Sequence, residues 1–254
     1  MTFPSDSRGT SSHNACGPDL FWWVAMTTTL HFHSLSQLER GASPARVPYQ
    51  SWLYRHHLKR LTDIIIVIAA LPAVLPIMVL IGAALWHEGG NPFYAQKRLG
   101  QNGRVFWVWK FRTMVRNADR VLADILASDP ALRAEWDLTQ KLRHDPRVTR
   151  LGRLLRRTSL DELPQLFNVL RGDMSLVGPR PMLPEQLPLY GIHAPSYFAL
   201  RPGLTGLWQV SERNEAQFLR RAELDAAYER DVTFATDLSL LVATVSVVAR
   251  GTGC

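Results

Sequence analysis

Polar and apolar positions divide the chain into blocks of different period. From Ile64 to Trp86 no residue is charged. As a helix rising about 1.5 Å per residue, that run would be about 34 Å long, enough to cross a hydrocarbon core of roughly 30 Å. Pro72 and Pro76 fall near its middle. Each deletes a backbone hydrogen bond and disfavours helical geometry in the residue before it. Arg55, His56, His57, Lys59 and Arg60 precede the run, and Lys97, Arg98 and Arg104 follow it. Basic residues favour the cytoplasmic side of a bilayer. Here they flank both ends, and no second long apolar run returns the chain. The expectation is a re-entrant helix-break-helix that enters and leaves by one face. A kinked spanning helix is the alternative, and a buried helix of a soluble domain is a third reading.

After Gly89-Gly90-Asn91-Pro92 the period changes. Phe93–Leu99 and Arg104–Phe111 are rich in aromatic and β-branched residues and are separated by Gly100-Gln101-Asn102-Gly103, which predicts a β-hairpin. Asn117–Leu142 has helical composition, interrupted at Asp129-Pro130. Glu223–Tyr228 also reads as a helix. Leu238–Ala249 is apolar but too short to span, so it packs on the core or lies in the interface. Residues 1–50 read as a weakly structured extension. Ser, Thr, Gly and Pro dominate Met1–Pro18, Phe21–Met26 is too short to span, and no basic stretch leads an adequate apolar core of a signal peptide. The organisation expected is therefore an extension over 1–50, a membrane-associated helix over 51–88 and a catalytic domain over 89–254.

The densest chemistry lies in Thr158-Ser159-Leu160-Asp161-Glu162-Leu163-Pro164-Gln165-Leu166. Pro164 is tolerated only in a first helical turn, which places a helix start between Leu160 and Leu163. Leu163, Leu166, Phe167 and Leu170 then form an apolar stripe, and Gly172 is the stop. Asp161 and Glu162 would meet free N–H groups and the positive end of the helix dipole, which keeps Asp161 ionised and favours a phosphate beside it. An ordinary Asp cap with an acidic neighbour is the plainer account. Arg147, Arg150, Arg153, Arg156 and Arg157 run up to this pair. They are either a solvated or lipid-facing basic surface or a phosphate clamp, since guanidinium matches phosphate with a rigid fork. In Val177-Gly178-Pro179-Arg180-Pro181 two prolines immobilise one arginine.

The net charge of +7 favours nucleic acid, anionic lipid heads or phosphorylated substrates. No helix-turn-helix or aromatic RNA platform accompanies it, so no nucleic-acid partner is expected. The two cysteines, Cys16 and Cys254, make neither a disulfide framework nor a metal cluster. The histidines lack zinc spacing, and no phosphate loop, dinucleotide fingerprint or nucleophile elbow occurs. An acidic pair, fixed arginines and a lysine beside a membrane dip fit phosphoryl transfer at a bilayer surface. A carboxylate can attack phosphorus, and a neighbouring one can hold Mg²⁺ against a diphosphate.

The motifs that settle the resemblance run in order from Lys59-Arg60-x-x-Asp63 through the proline-broken apolar segment, Gln96-x-Arg98-x-Gly100, Lys110-Phe111-Arg112-Thr113-Met114 and Asp145-Pro146-Arg147-Val148-Thr149. They continue with Ser159–Leu170, Gly172–Pro181 and Arg201–Val210. The chain resembles the bacterial sugar transferases, the monotopic polyprenyl-phosphate phosphoglycosyl transferases that initiate exopolysaccharide, capsule or glycan assembly. The resemblance implies an α+β fold, mostly helical, with a re-entrant membrane helix, interfacial helices and a small β-hairpin around a cytoplasm-facing catalytic core. It implies transfer of a hexose-1-phosphate from a UDP-sugar to polyprenyl phosphate at the inner membrane, with release of UMP. It makes Asp161 the nucleophile and links Glu162 to Mg²⁺. It places Lys110, Arg156, Arg180 and Asp237 on active-site positions. UDP-sugar, polyprenyl phosphate and membrane lipids are the partners, and a homodimer is compatible with the sequence. A non-catalytic membrane scaffold on the same fold is the rival reading, against which the intact Asp161-Glu162 pair stands.

Three departures from the family pattern stand out. Leu75 precedes Pro76 where a serine is usual. Ser211-Glu212-Arg213-Asn214 carries Glu212 in place of a glycine, which would cost about 1 kcal/mol if a left-handed turn is kept. The first fifty residues have no counterpart in the small catalytic core and are too few for the four-helix domain of larger relatives. Galactose or glucose is the hexose most suggested by the Gly-Leu-Trp-Gln-Val run and the short tail.

Overall fold

The computed structural model describes residues 52–139, 142, 144–211 and 218–249. The N-terminal extension, Glu212 and both cysteines lie outside them. Residues 47–254 form one compact unit, to which the membrane-length segment belongs. A π-helical turn, Tyr54–Leu58, leads into helix α1, Lys59–His87. Among the described residues it is the one helix long and apolar enough to cross a membrane, with a mean hydropathy of 3.1 in its most apolar window.

The backbone stays helical through the prolines, where an interruption was expected. α1 runs through Pro72 and Pro76 as one 29-residue helix. The two prolines stand four apart on an exposed face, so the lost donors fall on one strip while the rest of the helix keeps its ladder. Ile65, Ile68, Leu75, Val79, Leu80 and Trp86 are exposed along it. Both of its ends grip the same domain. At the start, Arg60 donates to the carbonyls of Val169 and Leu170, and Asp63 accepts from the Leu176 N–H at 3.1 Å. At the finish, Met78 and Leu85 pack with Phe111 and Leu155, and Arg112 donates to the Leu85 carbonyl at 3.1 Å.

The hairpin forms where its composition and Gly-rich turn placed it, as β1, Phe93–Leu99, antiparallel to β2, Val105–Phe111. Phe106, Val108 and Phe111 turn inward, while Val105, Trp107 and Trp109 face out. Asn102 and Gly103 make the turn at positive φ. Helices α2, Ala118–Ser128, and α3, Pro130–Thr139, are separated at Asp129, whose carboxylate accepts from the N–H groups of Ala131 and Leu132. Helix α4, Arg150–Thr158, is capped by Thr149, and Ser159 ends it in the left-handed region.

A single 3₁₀ turn, Leu160–Glu162, then precedes α5, Gln165–Arg171. The buried side of α5 differs from the expected stripe: Gln165, Leu166, Asn168 and Val169 are buried and Phe167 is exposed. Asn168 is inside because it serves the hairpin's backbone, and Gly172 ends the helix at φ 92°, a conformation that favours glycine. Strand β3, Ser175–Val177, is followed by the short helices α6, Leu187–Tyr190, and α7, Ala194–Phe198, and pairs in parallel with β4, Gly203–Thr205. A Cβ on Gly203 would lie 2.1 Å from the Gly178 nitrogen, so this crossing tolerates no side chain. Helices α8, Leu207–Ser211, α9, Phe218–Arg230, and α10, Phe234–Ala249, complete the chain. Leu99, Met182, Tyr190, Tyr197 and Ala222 form a second core beneath the hairpin's turn.

Candidate active site

Three elements bring the chemistry together. The first is β2, which carries Lys110. The hairpin is tied to α5 by one carboxamide: Asn168 Oδ1 accepts from the Trp109 N–H at 3.1 Å, and its Nδ2 donates to the Trp107 carbonyl at 2.7 Å. That register holds Lys110 over the acidic turn. Its ammonium lies 2.6 Å from Glu162 and 4.0 Å from Asp161.

The second is the α4–turn–α5 segment. Gly152 lets α4 approach the strand-end backbone, since a Cβ there would sit 2.1 Å from the Thr113 carbonyl oxygen. Arg156 Nε donates to Thr113 Oγ1 at 2.9 Å. Burial pulls the Arg156 pKa down, opposed by the negative charges of Asp161 and Asp145. Of the arginine run, Arg156 therefore lies in the field of Asp161, while Arg147 forms a double-pronged pair with Asp145 at 2.7–3.1 Å.

Asp161 itself is 9% exposed. Burial raises its pKa above the ordinary carboxylate value. Lys110 opposes the shift, Glu162 reinforces it, and Arg156 opposes it. The dipole argument from sequence favours the anion; the pair sits in a 3₁₀ turn ahead of the helix, with few aligned dipoles, and burial sets the direction of the shift.

The third element is the loop after β3. Arg180 Nη2 lies 3.6 Å from Glu162, and its guanidinium stands 6.0 Å from the Trp208 ring. Arg221 donates to the Arg180 carbonyl and so fixes the loop. Arg98, Lys110, Glu162, Gln165 and Arg180 line one cavity, closed on another side by Gly203 and Leu204. One anionic group, Glu162, and three cationic ones, Arg98, Lys110 and Arg180, thus line this space.

Of the six residues expected at the site, Asp161, Glu162, Lys110, Arg156 and Arg180 come together. Asp237 does not join them. Its buried carboxylate accepts from Tyr54, Lys59 and Tyr228, which ties α10 to the start of α1. Sequence reasoning gave no site role to Arg98 or Gln165. Arg98 had a signal in Gln96-x-Arg98-x-Gly100. Gln165 sits just past the acidic pair, where the helical stripe pointed to leucines instead.

The family model described as bacterial sugar transferase matches residues 54–251. The chain belongs to that family. Among its relatives, this transferase is 45% identical over 196 residues to the undecaprenyl-phosphate galactose phosphotransferase of Salmonella typhimurium, covering 77% of this chain and 41% of that one. It is 45% identical to the exopolysaccharide production protein ExoY of Sinorhizobium fredii, covering 77% of this chain and 87% of that one. It is 37% identical to the UDP-glucose:undecaprenyl-phosphate glucose-1-phosphate transferase of Klebsiella pneumoniae, covering 74% and 39%. The chain therefore spans most of the length of ExoY but only about two fifths of the other two.

Proposed function

We propose that the protein transfers a hexose-1-phosphate from a UDP-sugar to polyprenyl phosphate, releasing UMP and initiating an exopolysaccharide. The observation that carries the proposal is the Asp161-Glu162 pair set against Lys110, with Glu162, Lys110 and Arg180 on the wall of one cavity. The names of its relatives, which specify undecaprenyl phosphate and galactose or glucose phosphate, supply the substrate class.

In this mechanism a carboxylate oxygen of Asp161 attacks the β-phosphorus of the donor. The bond from that phosphorus to the α–β bridging oxygen breaks, and its electron pair leaves with UMP. The lipid phosphate then attacks the same phosphorus and displaces the Asp161 carboxylate. Dehydration of Asp161 removes water that would blunt its attack, while the positive charges of Lys110 and Arg156 oppose the burial-driven rise in its pKa. Lys110 and Arg180 offset the charge on the transferring phosphoryl group.

The donor set suits Mg²⁺, which binds through one or two carboxylates plus substrate phosphates. Glu162, on the cavity wall, is the residue that would hold it. Its chemistry there would be neutralisation of diphosphate charge.

α1 serves as the membrane element in the re-entrant mode, with the catalytic domain at the cytoplasmic face. A straight crossing would put the two ends of the helix on opposite sides of the bilayer, whereas both ends are bonded to the same domain. The exposed faces of Phe234, Leu238, Val242 and Val245 on α10 offer a second apolar strip for the interface.

The test is UMP release by the full chain in detergent or nanodiscs, with a panel of UDP-sugars and added polyprenyl phosphate. Release with one UDP-hexose, dependent on Asp161, supports the proposal. No release with any nucleotide sugar while the chain remains folded contradicts it.

A further inference from the structure

Among the described residues, no carboxylate forms an ion pair with Arg98. It lies on β1, half-buried, and lines the cavity with Lys110, Glu162 and Arg180. Its hydrogen bonds go to neutral acceptors, the Pro181 carbonyl at 3.1 Å and the Gln96 side-chain oxygen at 2.7 Å. An arginine has five N–H donors, so these two bonds leave others for a ligand. No carboxylate among the described residues pairs with it. Glu162 is engaged by Lys110 and Arg180, and Asp225 by Tyr190 and Arg221. Burial first, and then the neighbouring positive charges of Arg180 and Arg221, lower the Arg98 pKa to about 10. At neutral pH the group is still charged. A partly dehydrated cation among like charges is costly unless an anion arrives.

We propose that Arg98 is a substrate-contacting residue that binds a phosphate group in this cavity together with Arg180. The two bonds to Pro181 and Gln96 act as a brace: they fix the guanidinium plane and tie it to the loop that carries Arg180. This rests on the phosphoglycosyl-transfer reading. The phosphate belongs either to the donor diphosphate, where Arg98 would take up charge as UMP leaves, or to the lipid acceptor.

The experiment uses the full chain in nanodiscs, as wild type, Arg98→Gln and Arg98→Lys. One arm follows exchange of labelled UMP into UDP-sugar with no lipid acceptor. A second follows discharge of sugar-phosphate to polyprenyl phosphate. A third measures the unfolding midpoint with and without UDP. For a donor contact, Arg98→Gln raises the KM of exchange by about tenfold or more. It also removes the UDP-dependent rise in midpoint and leaves the ligand-free midpoint undiminished. Arg98→Lys recovers part of the exchange, because it keeps the charge and loses the fork. Normal exchange with impaired discharge assigns the phosphate to the acceptor and equally supports the contact. Unchanged exchange and discharge, or a fall in the ligand-free midpoint with the UDP response intact, overturns it. Wild-type protein that exchanges no UMP would instead refute the parent reading, and the UDP arm would still report on Arg98.

Discussion

Lys59 donates to Asp237 at 2.5 Å across 178 residues of chain, with both side chains buried. Tyr54 and Tyr228 also donate to that carboxylate, at 2.7 and 2.5 Å. Lys59 opens α1 and Asp237 lies in the first turn of α10, so this cluster clamps the membrane element to the last helix. Removing the lysine leaves a buried carboxylate without its cation, a loss of about 3–5 kcal/mol. Lys59→Met should therefore lower the unfolding midpoint far more than Lys59→Met combined with Asp237→Asn, which also removes the stranded charge. Equal losses in the single and double variants would refute the clamp.

The raised pKa of Asp161 has consequences of opposite sign for stability and rate. A carboxyl whose pKa is higher folded than unfolded favours the folded state while protonated, and that contribution is lost as pH rises through the folded value. At neutral pH its ionisation is a cost, so Asp161→Asn should raise the unfolding midpoint. The same variant should show no turnover. A midpoint that falls would contradict the electrostatic account.

Turnover requires the ionised form. The acid limb of kcat/KM should therefore lie above the ordinary Asp value of 3.8, in the direction of the burial-driven shift. A rate profile flat down to the ordinary carboxylate range would show that Asp161 is not dehydrated during the reaction.

Asn168 connects the hairpin to the acidic segment. Asn168→Leu fills a similar volume but leaves the Trp109 N–H and Trp107 carbonyl without their partner, at about 1–3 kcal/mol. Stability should fall and kcat should fall with it, since Lys110 follows Trp109 in the same strand. Measured melting and rates that match wild type would remove Asn168 from the account.

Gly152→Ala should act at a distance on Arg156. Its Cβ would press on the Thr113 carbonyl, so α4 must shift, and Thr113 is also the hydrogen-bond partner of Arg156. A loss of activity greater than that of Leu154→Ala, an exposed position on the same helix, is expected.

The sequence made the hairpin legible because β-branched and aromatic residues flank a turn whose Gly103 needs positive φ. Asp129-Pro130 likewise marked the division between α2 and α3. The reactive cluster was visible through its motifs, and five of its six expected members meet in space. Other features depend on partners distant in sequence. The fate of α1 at Pro72 and Pro76 depends on which face packs, and local proline rules do not report that. Asn168 and Gln165 read as surface polars within a leucine stripe until the hairpin's backbone is placed above α5. Asp237 opens an apolar helix just as a site residue would, and only the approach of Tyr54, Lys59 and Tyr228 shows how its charge is satisfied. Arg98 gained significance from the lack, among the described residues, of a carboxylate paired with it, which cannot be read along a chain.

The most direct measurement is intact and peptide mass spectrometry of the protein incubated with UDP-hexose and no lipid acceptor. The account predicts stoichiometric UMP and an added hexose-phosphate on the peptide containing Asp161, discharged when polyprenyl phosphate is supplied and absent in Asp161→Asn. UMP released only in the presence of the lipid, with no adduct at any stage, would contradict it.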